Sequence, residues 1–449
     1  MMTRRCGVSV RSFASAAGAK KPAAINRVRG TRDFLPEDAE RHREVVQVLQ
    51  DIVQRYGFRQ IQTPLLEYTD LFSRSLGDGS DIVMKEMYTF TDNSGKSVTL
   101  RPEGTAGVMR ALISNNLPVS PPQKLFYHGS MFRYERPQRG RYREFQQFGA
   151  EFIGSTGASV DVEVIGMAAH ALESLGIKSK TSLHINSLGD TESRARYRVA
   201  LEEFFTQYKQ DLSADSVSRL ERGSVLRILD SKSETDQTII QDAPRLKQFL
   251  STESLERFDS VLNGLAALGV TYEENSRLVR GLDYYSHTVF EFVEQVERSA
   301  DDDEDSKSGI AVLAGGCYDG LTELLGGASI PCIGWAAGVD RLGLLRDSNE
   351  SSASTIAIVP VVSGADGDAV LFKSLQIAHT LRQSGHVVHF CHGKGNLKKQ
   401  MKTADRYGSA YAVIVGGDEV AKQQVKIKNL KERREEEVAW DALSAYRFE

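Results

Sequence analysis

The sequence predicts an α+β protein in which an antiparallel sheet, interrupted by a helical insertion, is followed by a separate α/β domain. Three observations carry this. Strand-like stretches at 87–91 and 98–101 flank the turn Asp92-Asn93-Ser94-Gly95, and longer ones at 124–134 and 145–153 flank a basic loop, the pattern of antiparallel pairing. Residues 188–270 are polar, charged and helical by pattern, without the strands that surround them. Beyond the Ser-rich stretch 348–354, strands at 356–361, 387–390 and 411–415 alternate with helices at 368–384 and 396–407. A chain of 449 residues also exceeds what one hydrophobic core usually organises.

The elements follow in order. Pro36 opens a helix with Glu37 and Asp38 in its first turn, Val45, Val46, Leu49, Ile52, Val53 and Tyr56 at helical spacing, and Gly57 as its stop. A strand at 58–63 runs into Pro64, which has no N–H for a ladder and so belongs at a strand end or edge. After the strand at 145–153, residues 161–176 return to helical spacing. Beyond the insertion, strands resume at 278–293, and the acidic run 301–305 reads as a solvated hairpin loop before the pairs Gly315-Gly316 and Gly326-Gly327. The resulting division is a leader at 1–24, a sheet domain in two parts at 25–187 and 271–346, the helical insertion at 188–270, a linker at 347–354 and the terminal domain at 355–449.

Composition narrows the function. With 41% hydrophobic and 26% charged residues and no apolar run near the length of a span, no membrane partner is expected. Four cysteines, Cys6, Cys317, Cys332 and Cys391, without CxxC spacing exclude a disulfide framework and a cysteine zinc cage. The net charge of −4 hides an asymmetry: residues 1–32 hold eight bases and no acid. That opening is Arg-rich and Ser/Ala-rich, the composition of a transit peptide, so the expected localisation is mitochondrial, with plastid or cytoplasm as alternatives and a nucleic-acid-touching basic tail as the plainer reading. Residues 354–449 carry +3 against −7 for the rest, with Lys398, Lys399 and Lys402 clustered at one helix start, as a phosphate-binding surface requires.

The chemistry concentrates in residues 131–151. Five arginines fall between Arg133 and Arg143. Because side chains two apart on a strand share a face, Arg133 and Glu135 on one strand and Phe145, Gln147 and Glu151 on the next can meet in one cavity. Such a cavity suits a nucleotide, with guanidinium on phosphate, ring on base and carboxylate accepting from an exocyclic amine. A second cluster, His386, His389, Cys391 and His392, straddles both faces of a strand and is expected to be structural, so no metal site is expected.

On these residues the chain resembles a class II aminoacyl-tRNA synthetase, of the bacterial or organellar histidyl-tRNA synthetase family, over nearly everything after residue 25. The helix and strand ending at Pro64 resemble the first class II motif, which builds a dimer interface, and residues 131–154 the second. Gly334-Trp335-Ala336-Ala337-Gly338-Val339-Asp340-Arg341-Leu342 resembles the third. Leu100-Arg101-Pro102-Glu103-Gly104-Thr105 and Arg280-Gly281-Leu282-Asp283-Tyr284-Tyr285 resemble the histidine-specific elements.

The resemblance implies a homodimeric ligase that activates L-histidine with ATP to histidyl-adenylate and transfers it to the 3′ end of tRNA(His). By that resemblance Glu103, Thr105 and Gln147 surround the α-amino group, and Glu151, Tyr285 and Tyr318 the imidazole, whose two nitrogens each need a partner. Arg133 grips the α-phosphate, Arg280 bridges carboxylate and α-phosphate, and Arg141 and Arg341 hold the distal phosphates. Phe145 stacks on adenine and Glu135 accepts from its amine. Arg136 and Gln138 meet the acceptor end, the insertion lies near the acceptor stem and the terminal domain reads the anticodon. Mg²⁺ is expected on the pyrophosphate oxygens, without a dedicated cage. The substrate carboxylate is itself the nucleophile, so positioning and cations replace acid–base catalysis. Two residues depart from the pattern: Cys317 stands where an arginine commonly precedes Tyr318, and Asp340 where a glutamate precedes Arg341. The rival reading is a regulatory paralogue, but such members lack the terminal domain and lose motif residues, and this chain keeps both.

Overall fold

The computed structural model describes residues 24–77, 80–231, 233–278, 284–295, 309–347, 355–362, 367–392 and 396–448. The basic opening up to residue 23, Arg280 to Asp283, the acidic run and the 348–354 linker lie outside the described residues. The chain divides into two compact units, with the boundary between Asp347 and Ser348.

In the first unit, α1 (Pro36–Arg55) starts on its proline, carries Glu37 and Asp38 against its positive end and buries Val45, Val46, Leu49, Ile52 and Val53. It stops at Gly57, whose φ of +82° turns the chain back so that Gly57 N and Phe58 N donate to the Gln54 and Val53 carbonyls. Next come β1 (Arg59–Gln60), β2 (Leu66–Tyr68), α2 (Thr69–Leu76), β3 (Tyr88–Thr91), β4 (Ser97–Leu100) and α3 (Thr105–Ser114). The long hairpin β5 (Gln123–Phe132) and β6 (Glu144–Ile153) follows, then α4 (Ala158–Ser174) and β7 (Thr181–Ser187). The helical stretch holds α5 (Thr191–Gln207), α6 (Ala214–Glu221), α7 (Glu234–Ile240) and α8 (Thr252–Ala267). The unit closes with β8 (Glu273–Glu274), β9 (Ser286–Glu294), β10 (Ala311–Cys317), α9 (Leu321–Leu324), β11 (Cys332–Gly338) and α10 (Val339–Leu345).

One sheet runs in the order β1-β5-β6-β11-β10-β9-β7-β8, antiparallel except for the short edge strands β1 and β8. A smaller antiparallel sheet has the order β2-β4-β3. Strand alternation sorts β6 by face: Phe148, Ala150 and Phe152 join the core behind the sheet with α1, α4, α8 and α10, leaving Phe145, Gln147 and Glu151 for the front.

Two expected strands are shorter in the structure. Residues 58–63 reduce to β1, because after Ile61 N donates to the Phe126 carbonyl the chain leaves β5 for Pro64. At the start of the strand expected from 278, Leu278 lies instead in a turn, its N donating to the Asn275 carbonyl, and the strand described is Ser286–Glu294. The helical stretch is no separate compact unit. Its Tyr197, Leu201, Phe205 and Ile228 share a core with Tyr127, Met131 and Tyr318, while Phe258, Val261 and Leu265 of α8 join the core behind the sheet.

The second unit is a mixed sheet of order β13-β12-β14-β15-β16, from β12 (Ile356–Pro360), β13 (Val388–Phe390), β14 (Tyr411–Val415), β15 (Gln424–Asn429) and β16 (Glu435–Ala439). The first three strands are parallel and fully apolar β12 and β14 lie inside; β15 and β16 add an antiparallel hairpin. Helices α11 (Gly367–Gln383), α12 (Leu397–Arg406) and α13 (Gly417–Ala421) complete it. The histidine-rich stretch packs on rings: His386 meets Phe448 at 5.0 Å, His389 stacks on Tyr407 at 4.6 Å and His392 lies 4.7 Å from Phe390.

Candidate active site

The front of the large sheet holds a cleft with about 970 Å³ of space, open at its mouth. Its walls come from β6, β10, β11, the starts of α3 and α10, Tyr284 and Tyr285 ahead of β9, and the loop between β5 and β6. Glu103, Thr105, Arg133, Glu135, Arg141, Phe145, Gln147, Glu151, Tyr285, Tyr318 and Arg341, distant in sequence, all line it.

The closed end is built on Glu151. Small neighbours make room for it: a Cβ at Gly334, opposite on β11, would collide with the Glu151 carboxylate. The carboxyl is buried and accepts from both sides, Thr105 Oγ1 at 2.7 Å on Oε1 and the Tyr318 hydroxyl on Oε2. Burial drives its pKa up to about 8, against the pull of those two hydroxyls. Glu151 is therefore largely a neutral acid near pH 7. Tyr284 stands 4.8 Å from Tyr285 and 5.7 Å from Tyr318, ring to ring, walling this end with aromatic surface.

Glu103 begins as structure. Its carboxylate accepts from Thr105 N at 2.7 Å and Ala106 N at 2.8 Å, capping α3 where backbone donors would be orphaned. Burial raises its pKa, while those N–H groups oppose the shift. Gln147 is fixed from two sides, its Oε1 accepting from Gly104 N at 3.2 Å and the Tyr127 hydroxyl at 3.4 Å. Its amide nitrogen is left to face the cleft contents.

The open end is cationic. Arg133 Nε donates to the Pro102 carbonyl at 2.9 Å, aiming a guanidinium that lies 5.3 Å from the Phe145 ring. Glu135 sits between Arg133 and Arg141, at 3.8 and 3.5 Å. Arg141 Nε is buried without a partner. Arg341 donates to the Gly140 and Ala311 carbonyls at 3.2 and 2.8 Å, and burial followed by the nearby Arg141 charge lowers it to about 10, still protonated at neutral pH. Arg141 and Arg133 both disfavour the charge on Arg341, a repulsion among neighbouring guanidiniums that an anionic ligand would relieve. Among the described residues no group of three or more His, Cys, Asp or Glu side chains could hold a metal ion.

Two expected residues stand elsewhere. Arg136 and Gln138 are exposed in the β5–β6 loop, which closes through paired backbone bonds between Gln138 and Arg141, and they do not line the cleft. Arg280 lies outside the described residues. Arg32, which the sequence pattern did not single out, also supports the site, through the Asp340 noted beside Arg341. Arg32 is sandwiched by Phe34 and Tyr142, 4.2 and 4.6 Å from their rings, and pairs with Asp340, whose other oxygen accepts from Gln146 N at 3.0 Å. Arg32 and Asp340 are 308 positions apart, so no local spacing announces them.

Comparison with known proteins gives the same direction. The model of the family Histidyl-tRNA synthetase matches residues 30–342, and that of Anticodon binding domain matches 355–446. The histidine–tRNA ligase of Gluconacetobacter diazotrophicus is 46% identical over 424 residues, 94% of this chain and 98% of the relative. That of Rhodospirillum rubrum is 46% identical over 425 residues, 94% and 99% of the two chains. The apo histidyl-tRNA synthetase of S. aureus is 36% identical with a TM-score of 0.75, covering 94% of this chain and 99% of that one. These findings overturn the mitochondrial expectation: the relatives are bacterial, and nothing in the comparison indicates mitochondrial targeting. A cationic, acid-free opening is equally the composition of a basic tail, so composition alone does not separate the two. No described helix is long and apolar enough to cross a membrane.

Proposed function

The chain belongs to the histidyl-tRNA synthetase family and ligates histidine to tRNA, and from that premise we propose how its cleft divides the work. The closed end takes the amino acid and the cationic end takes ATP. The arrangement that carries this reading is the buried Glu151 carboxyl held between the Thr105 and Tyr318 hydroxyls at the end of an aromatic pocket. Histidine brings a base to that neutral acid, so a proton is shared between Glu151 and the imidazole, with Tyr285 and Tyr318 facing the ring. A side chain without ring nitrogens would leave these polar groups unpaired, which costs far more than a missing methylene. Glu103, Thr105 and Gln147 surround the α-amino group, with the Glu103 carboxylate and the Thr105 hydroxyl oxygen as its acceptors and Gln147 packed beside them.

Arg133, aimed by the Pro102 carbonyl, holds the α-phosphate, with Phe145 under adenine and Glu135 accepting from its amine. Arg141 and Arg341 take the distal phosphates, and Arg280 bridges the reacting carboxylate and phosphate. The carboxylate oxygen attacks the α-phosphorus and the bond to pyrophosphate breaks, so these cations stabilise charge that grows on the phosphoryl oxygens. Glu135, already engaged by two arginines, is poorly placed to add a metal ligand. Mg²⁺, usual with ATP, would rest mainly on pyrophosphate oxygens and neutralise their charge.

Arg136 and Gln138, exposed beside the cleft, are proposed contacts for the acceptor end of tRNA(His), the helical stretch 188–270 lies near the acceptor stem, and the second unit reads the anticodon. A homodimer, with the segment up to Pro64 in its interface, completes the reading. The test is amino-acid-dependent exchange of pyrophosphate into ATP across the standard amino acids: histidine alone should support it, and comparable exchange with another amino acid would overturn the assignment.

A further inference from the structure

Behind the sheet, on the side away from the cleft, a second polar cluster is sealed into the core. Asp161, in the first turn of α4, has a side chain only 1% exposed. Its carboxylate takes a two-pronged grip from Arg257 of α8, with Nη2 at 3.0 and 3.1 Å from the two oxygens and Nε at 3.3 Å. Thr288 Oγ1 of β9 donates at 2.7 Å, and the Cys317 thiol of β10 at 3.4 Å. Arg257 Nη2 also lies 3.3 Å from Cys317 Sγ. Burial, then the Asp161 charge, pushes the Cys317 thiol well above its usual range, so it is a neutral donor here.

Cys317 and Tyr318 are consecutive and point to opposite faces: Cys317 belongs to the core behind the sheet and Tyr318 to the core in front, where its hydroxyl meets Glu151. The β10 end is further held by Tyr318 N on the Cys332 carbonyl and by Asp319, which accepts from Cys332 N. The helices that reach this end are joined to one another. Asp190 caps α5 through Ser193 N at 2.7 Å and accepts from Ser251 and Ser254 at the start of α8, at 2.6 and 3.1 Å. From α5, Arg194 donates to the Tyr285 carbonyl; from α8, Arg257 reaches Asp161 and Cys317. Each helix of this capped pair thus sends one arginine to a segment that carries a pocket residue, Arg194 to the Tyr285 carbonyl and Arg257 to Cys317, next to Tyr318.

We propose that the Arg257–Asp161 pair is a positioning device for histidine recognition: from behind the sheet it fixes the end of β10, and so the direction of Tyr318, making the helical stretch a determinant of amino-acid binding. The proposal rests on the pocket assignment given above. A buried carboxylate that loses its cation must find another partner or take up a proton, and the strand end it anchors relaxes either way. This pair anchors the Tyr318 side of the cleft, whereas the cationic end rests on a separate pair, Arg32 with Asp340, so the effect falls on histidine rather than ATP.

Position 317 provides the decisive control. An arginine there, in an Arg257→Ala background, enters the vacated volume and returns a guanidinium to Asp161; in the presence of Arg257 it crowds a second cation into the same place. Pyrophosphate exchange, with KM for histidine and for ATP measured separately, is run on the full chain for Arg257→Ala, Cys317→Arg, the double variant and Tyr318→Phe, with thermal melting in parallel. Arg257→Ala should raise KM for histidine about tenfold with KM for ATP within about twofold, and the double variant should recover most of that loss while Cys317→Arg alone is worse than the double. If Arg257→Ala does not fold, Arg257→Lys, which keeps charge but not the fork, should give the same split in smaller measure. Unchanged KM for histidine, equal changes for both substrates, or a double variant that regains its melting temperature but not its histidine KM would overturn the proposal. Tyr318→Phe separates the two levels. If it raises KM for histidine where Arg257 variants do not, positioning alone fails; if it leaves KM unchanged, the pocket assignment fails with it.

Discussion

Glu151 shows how much one residue's surroundings decide. Its folded pKa of about 8 lies above the 4.5 of a solvated carboxyl, so between these values the folded chain holds a proton that the unfolded chain has released. The stability from that proton is fully present below about pH 4.5 and lost as pH rises through about 8. Glu151→Gln, which cannot ionise, should therefore gain in melting temperature relative to the unsubstituted protein as pH is raised across this window; a constant difference between the two would contradict the burial argument. Arg280 makes a different demand. With the nucleophile supplied by the substrate, Arg280→Ala should lower single-turnover adenylate formation about a hundred-fold or more while histidine binding by calorimetry stays measurable. A parallel fall in binding, melting and adenylate formation would make Arg280 a structural residue. Phe145, Gln147 and Glu151 were legible because they alternate on β6, and the other candidate side chains because they fall in motifs that resemble a known family; Arg133 and Glu135, expected on the preceding strand, lie just past its end at Phe132. Asp161 and Arg257, 96 positions apart, were not legible, since nothing local distinguishes a buried ion pair from two solvated charges.

At the scale of elements, the β5–β6 loop sorts into two sets side chains that the sequence places side by side. Arg133, Glu135 and Arg141 turn into the cleft while Arg136 and Gln138 stay exposed. Substituting Arg136 or Gln138 by Ala should weaken tRNA charging, by about 1–3 kcal/mol each if they reach exposed base edges, and spare pyrophosphate exchange. Equal losses in the two assays would assign them to ATP. Helices and long strands were readable from periodicity, as α1 with its proline start and glycine stop illustrates. The edge strand β1 and the turn at Leu278 were misjudged, because hydrophobic spacing does not reveal where a chain turns away from its neighbour. The helical stretch was recognised by pattern, but its sharing of both cores with the sheet depends on packing that spacing leaves open.

For the whole molecule, the division at Asp347 and the anticodon-domain match to 355–446 separate reading of tRNA from chemistry. The +3 charge of residues 354–449 predicts a salt-dependent contact. Deleting 355–449 should raise KM for tRNA far more than KM for histidine; full charging efficiency in the truncated protein would remove that domain from recognition. The central claim, that the Glu151 end of the cleft selects histidine, is tested most directly by pyrophosphate exchange in Glu151→Gln. The amide keeps the size of the side chain but can neither share the proton nor carry the charge, so kcat/KM for histidine should fall about a hundred-fold or more with KM for ATP little changed. An unaltered KM for histidine, or a loss divided equally between histidine and ATP, would contradict the account.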